Sequence, residues 1–188
     1  MKFLQTLPLS LALFVLAASP AGAAVYEFGA ILSGAEEVPP VETIGNGEAL
    51  VLFDDETGDF TWNLIFQDLS SPIGVDSPTA HIHSGGIGVN GPVVIPLDGD
   101  GGIIIGNGKT EGIYFGAVDT DEIEGGADIV SDLFAGNLYF NLHTTNNPGG
   151  EIRGQILPAF ITVVPVPAAA WLFASALGLL GWLKRSTR

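Results

Sequence analysis

The chain is 188 residues long, which leaves room for one ordinary domain and little else. It is 47% hydrophobic and 14% charged, has no Cys, and sets 6 basic residues against 21 acids for a formal net charge of -15. That balance excludes a nucleic-acid partner, because a phosphate-binding surface needs clustered Lys and Arg, and the missing Cys means that a core, not disulfides, must supply the stability.

The N-terminus carries Lys2, an apolar run from Phe3 to Ala18 broken by Pro8, and then Ala21-Gly22-Ala23. A short apolar run followed by a small-x-small site predicts a secretory signal peptide over residues 1–23, rather than an anchor of about 20 apolar residues. The body then spans residues 24–162. Of the six basic residues only Lys109 and Arg153 fall within it, together with all 21 acids. A field of this sign repels polyanions and favours cations.

Along the body, Phe60-Thr61-Trp62-Asn63-Leu64-Ile65-Phe66-Gln67 places Phe60, Trp62, Leu64 and Phe66 on one face, the period-2 signature of a half-buried strand. Residues 47–54, 91–97, 112–118, 137–143 and 151–157 are similar short runs. Turn signals separate them, among them Asn46-Gly47, Thr57-Gly58, Asn90-Gly91, Asn107-Gly108 and Pro148-Gly149-Gly150. Short strands so often punctuated, with no alternating long helices, predict an all-β antiparallel sandwich or barrel. Residues 127–135 carry Ile129, Leu133 and Phe134 at helical spacing and predict one short helix.

The three histidines are the most informative feature of the body. In Thr79-Ala80-His81-Ile82-His83 two imidazoles stand two residues apart, so on a strand they project from one face while Ile82 points to the other. His143 ends the run Asn137 to Leu142, in which Leu138, Phe140 and Leu142 face one way and Asn141 and His143 the other. If those strands are neighbours, His81, His83 and His143 converge on a site suited to copper or zinc, both of which take neutral imidazole. The alternative is that the three rings hydrogen-bond within a polar layer. Further on, Glu151, Arg153 and Gln155 share one face of a strand and Ile152 and Ile156 the other. Arg153 reads either as an anion-steering guanidinium at the mouth of a site or as a structural ion pair with Glu151, Glu36 or Glu37.

Other chemistry is mostly absent: there is no Gly-x-Ser-x-Gly elbow, zincin helix or phosphate loop. Asp119-Thr120-Asp121-Glu122-Ile123-Glu124-Gly125 gathers acids but fails the calcium-hand spacing, with Ile123 at the fifth position and Gly125 at the seventh. It reads as an acidic solvated loop, with a loose, weak calcium site as the alternative.

The C-terminal segment, residues 163–188, runs from Val163-Val164-Pro165-Val166-Pro167 through an apolar stretch, Ala168 to Leu183, to Lys184-Arg185-Ser186-Thr187-Arg188. Its apolar residues would span about 24 Å as a helix, short of a bilayer core of about 30 Å, and the basic end should stay cytoplasmic. This order resembles the PEP-CTERM sorting signal of exopolysaccharide-producing Gram-negative bacteria, with Pro165-Val166-Pro167 in place of Pro-Glu-Pro. The resemblance implies an apolar membrane helix, processing by an exosortase-type enzyme, and delivery of the body to the outer surface or an extracellular polysaccharide matrix.

The body also resembles a known family. Leu32 to Val41 with Thr43, Ala80-His81-Ile82-His83-Ser84-Gly85, Asn90-Gly91-Pro92-Val93-Val94, Gly136 to His143 and Asn147 to Ile156 are similar, in this order, to the motifs of the CHRD domain, named for chordin. That resemblance covers about residues 26–157 and implies an immunoglobulin-like Greek-key β-sandwich; with the common catalytic motifs absent, the chain reads as a structural or binding module rather than an enzyme. The His-x-His pair, His143 and Arg153 are further similar in order to the copper half of copper,zinc superoxide dismutase, which implies a mononuclear copper, redox alternative. The chain departs from that enzyme in lacking a fourth copper His, a cluster of zinc ligands and a Cys pair.

Overall fold

The computed structural model describes residues 24–73, 80–97, 102–105 and 109–159. The expected signal peptide and the C-terminal apolar helix lie outside them. No helix among the described residues is long and apolar enough to cross a membrane.

Among the described residues, ten strands and one α-helix follow in chain order: β1 Val25–Ser33, β2 Asn46–Asp54, β3 Asp59–Gln67, β4 Ala80–Ser84, β5 Val93–Pro96, β6 Gly102–Ile105, β7 Gly112–Asp119, α1 Gly126–Ala135, β8 Leu138–Leu142, β9 Ile152–Gln155 and β10 Leu157–Pro158. The turn after β1 is a short 3-10 segment, Gly34–Glu36. All pairings are antiparallel, and the order across the sheet is β5-β4-β8-β9-β1-β2-β3-β7-β6, with β10 also against β1.

The sheet is curled and consists of two halves. One register pair, Ser33 with Arg153, joins β1 to β9. On one side of that junction lie β5, β4, β8 and β9, and on the other β1, β2, β3, β7 and β6. A single buried cluster draws Phe28, Val51, Trp62 and Leu64 from the second half and Ile82, Phe140, Leu142 and Ile152 from the first. Burying an apolar side chain of this size stabilises by roughly 1.5–3 kcal/mol, so alternating Phe, Leu and Ile residues on both halves hold the sheet curled on itself.

The strands expected from the alternation all form, with ends shifted by at most two residues; residues 151–157 divide into β9 and β10. The expected helix is α1, ended at Gly136 in the left-handed region (φ 69°), a conformation that glycine adopts without a Cβ clash. Ile129 and Leu133 are buried as the spacing required. Phe134 instead stays half exposed and stands edge-on to Tyr26, Phe28 and Phe53.

Candidate metal centre

The histidines lie on a face that is not the core. Strand β4 pairs with β8 so that His81 opposes Asn141 and His83 opposes Tyr139. In turn β8 pairs with β9, setting Asn141 opposite Arg153 and Tyr139 opposite Gln155. Alternation sends Ile82, Phe140, Leu142 and Ile152 into the core and the intervening residues to the other face. That other face is buried as well, because segments 34–41, 84–91 and 144–150 close over it: Asn141, Tyr139, Arg153 and Glu151 are all at most 4% exposed.

Among the described residues, His81, His83 and His143 form one group, with a ring nitrogen of each within 4.8 Å of the other two. The topology therefore brings together all three residues of the candidate set. Each ring is half-buried. His143 Nδ1 lies 3.0 Å from the Pro148 carbonyl and His83 Nδ1 2.9 Å from the Gly91 carbonyl. A carbonyl only accepts, so in both rings Nδ1 carries the proton and Nε2 keeps its lone pair. His143 Nε2 stands 3.1 Å from His81 Nδ1, which donates to it. His83 Nε2 is buried with no hydrogen-bond partner.

Burial holds the His83 and His143 imidazoles below the ordinary histidine range. The carbonyl bonds of Gly91 and Pro148 oppose that depression, and the positive charge of Arg153, for His83, deepens it. Both rings are consequently neutral at pH 7, the form that ligates a metal. A tetrahedral ion at about 2.0–2.1 Å sets its nitrogens roughly 3.3–3.4 Å apart. The His81 Nδ1–His143 Nε2 pair already stands near that spacing; for both nitrogens to ligate, the His81 proton must sit on Nε2 instead of Nδ1, and closing the third nitrogen onto the same point is a side-chain adjustment of the order of an ångström.

The two charged residues singled out beside the histidines do not pair with each other. Arg153, 1% exposed, donates from one terminal nitrogen to Asn90 Oδ1 and from the other to the carbonyls of Gly86 and Val89, and its guanidinium lies 3.5 Å from the centre of the Tyr139 ring. Glu151, wholly buried, accepts hydrogen bonds from Thr43, Thr144, Asn147 and both the backbone and the hydroxyl of Ser70. Burial alone would raise its pKa; the hydrogen bonds from Thr144, Thr43 and Ser70 outweigh that and hold it below the ordinary carboxylate range.

Two residues of this layer take roles the sequence did not show: Tyr139, and Glu37, which it offered only as an ion-pair partner of Arg153. Tyr139 stacks on His83 with centroids 4.9 Å apart and 13° between planes, and its hydroxyl accepts from the Gly91 N–H. Burial pushes Glu37 up to about 7, against the opposing pull of Arg153 and of hydrogen bonds from Asn141 and the Val38 backbone. Glu37 Oε1 and Asn141 Oδ1 are buried acceptors without donors, and a Cβ on Gly150 would stand 2.5 Å from both. A proton on Glu37 would give its carboxyl a donor, in keeping with the raised pKa. Alternation alone marks Tyr139 as lying on the histidine face, but its place beside His83 follows from the β4–β8 register. The two carbonyls carry no sequence signal at all.

A surface groove of about 520 Å³ along Ile31, Ala49, Ile87 and Leu157 does not include the histidines. Comparison with curated proteins and with solved structures finds no match. The family model of the CHRD domain matches residues 28–156, from within β1 to just past the end of β9, and so includes all three histidines, Glu151 and Arg153. The chain belongs to the CHRD domain family.

Proposed function

We propose that this protein is an exported CHRD-domain binding module whose working part is a mononuclear metal site, with His81, His83 and His143 as ligands and copper or zinc as the ion. The observation that carries this reading is the convergence of three imidazoles, two of them fixed by Nδ1–H bonds to backbone carbonyls with Nε2 left as the ligating atom. An all-nitrogen set with no thiolate or thioether suits these borderline ions better than soft or hard ones. The acidic body attracts cations in general, while the neutral rings select among them.

The module binds rather than turns over a substrate. Arg153 is buried with its donors on loop carbonyls and Asn90, which favours the structural role over anion steering and weighs against the superoxide dismutase-like alternative. The N-terminal signal, the PEP-CTERM-like tail and its processing by an exosortase-type enzyme would put the module on the cell surface or in the extracellular matrix of a Gram-negative bacterium.

Metal analysis of the full chain produced by export, beside the double variant His81→Ala/His83→Ala, tests the site. The expected result is about one equivalent of copper or zinc in the parent and none in the variant. Equal metal content in the two, or no uptake by the parent after copper and zinc are added back, would overturn it.

A further inference from the structure

The buried charges beside the site raise a separate question, because an ionised group taken out of water costs several kcal/mol unless its hydrogen bonds are complete. Arg153 and Glu151 are both buried, yet each spends its hydrogen bonds on loops instead of on the other. Among those loops are the two that supply the carbonyls holding the histidines, while Glu151 is also bonded by Thr43 and Ser70. We infer that Glu151 and Arg153 are positioning residues for the metal site, Glu151 acting through segment 144–148 on His143 and Arg153 through segment 86–91 on His83. This rests on the metal-binding reading above.

The Glu151 side of the device is a turn built on a carboxylate. Oε2 accepts from Thr144 Oγ1 at 2.6 Å and from Asn147 Nδ2 at 3.1 Å. Thr144 and Asn147 also bond to each other through their backbones, and the Asn147 N–H reaches Thr144 Oγ1. With both ends of the turn held, the carbonyl of the next residue, Pro148, is aimed at His143 Nδ1.

On the Arg153 side the path has two branches. The guanidinium gathers Gly86, Val89 and Asn90, whose own amide nitrogen donates to the Val38 carbonyl. The neighbouring Gly91 carbonyl is thereby set against His83 Nδ1. The guanidinium also packs on Tyr139, which stacks on the His83 ring and accepts the Gly91 N–H. His83 is thus held at its edge by a carbonyl and at its face by an aromatic ring, the ring contacted by Arg153 directly and the carbonyl reached through the neighbouring Val89 and Asn90.

A hydrogen bond to the non-ligating nitrogen fixes tautomer and ring orientation, and losing such a partner costs about 10- to 100-fold in metal affinity. The test is a Zn²⁺ titration of the full chain against a chromophoric chelator, with the electron paramagnetic resonance spectrum of the Cu²⁺-loaded protein as a second readout. The variants are Glu151→Gln, Arg153→Lys and Tyr139→Phe. The control is Ile152→Val, which lies between the two charged residues but faces the core.

The expected result is a Zn²⁺ affinity about 10- to 100-fold lower for Glu151→Gln and Arg153→Lys, a smaller loss for Tyr139→Phe, and altered Cu²⁺ hyperfine splitting in all three. Ile152→Val should melt at lower temperature and bind as the parent does. Tyr139→Phe keeps the ring and loses only the hydroxyl, so it remains informative if a charge variant fails to fold. Parent-like affinity and spectra in the variants that fold would make the two residues merely structural and overturn the inference. A parent that takes up no metal in the same titration would instead fail the underlying reading.

Discussion

Strands β3 and β8 are both central in their half of the sheet, yet they bury differently. Along β3 every second residue is buried and the residues between are wholly or partly exposed, Ile65 at 55%. Along β8 all five residues are buried. The difference lies above the sheet: segments 34–41, 84–91 and 144–150 close over β4, β8 and β9, whereas Leu50, Leu52, Ile65 and Ile103 in the other half face solvent. A face roofed by loops takes its polar residues out of water, and each must then find a partner inside the protein. That requirement produces the layer of His, Tyr, Asn, Arg and Glu in which the candidate site lies.

The sharpest test of this contrast is truncation on the two faces. Phe140→Ala, on the core side of β8, should destabilise by about 3–5 kcal/mol, read by chemical denaturation. A loss under about 1 kcal/mol would mean that β8 is not packed against the second half of the core.

Next in size is Glu37→Gln on the roofed face. The folded-state pKa of Glu37 is raised to about 7 from 4.5, so its contribution is fully present below pH 4.5 and is lost as pH rises through 7. The amide mimics the neutral acid and does not ionise. The variant should therefore match the parent near pH 4.5 and exceed it above pH 7 by a margin on the order of 3 kcal/mol. A variant less stable than the parent at pH 8 would show that Arg153 keeps Glu37 charged.

The histidines give a pH dependence of opposite sign. Burial depresses the folded-state pKa of His83 and His143, so their contribution is present above the ordinary value of about 6.5 and is lost as pH falls below it. Metal-free protein carrying Glu37→Gln, which removes the offsetting carboxyl, should lose stability on acidification from pH 7 to 5. Adding His143→Gln should reduce that slope; an unchanged slope would exclude His143 as its source.

The smallest effect belongs to the open face: Ile65→Ser should stay within about 0.5 kcal/mol of the parent. A larger loss would mean that the outer face of β3 is covered in solution.

Much of this was legible in the sequence. The strand at residues 60–67 and the opposite facing of Ile82 and its flanking histidines follow from period-2 alternation and appear as expected in β3 and β4. Two strands were not read: β1, whose inward positions include Ala30 and whose outward ones include Gly29, and β6, four residues of which three are Ile. Weak alternation in the first and an unbroken apolar run in the second leave little periodic signal. At the site, the sequence pointed to the three histidines and marked Glu151 and Arg153, but neither the carbonyls of Gly91 and Pro148 nor the stack of Tyr139 on His83.

The division has a physical cause. Which side of a strand a residue faces is decided by its own backbone, one residue at a time, so the sequence by itself determined that His81 and His83 share a face and that Asn141 and His143 share one. Whether those two faces are the same surface depends on β4 pairing with β8 in the register His81 to Asn141, a contact between residues 60 apart in the chain. Only the tertiary structure decided that, along with the closure of three loops over the face. Backbone carbonyls are common to every residue, and what aims two of them at imidazoles is the long-range packing of buried Arg153 and Glu151.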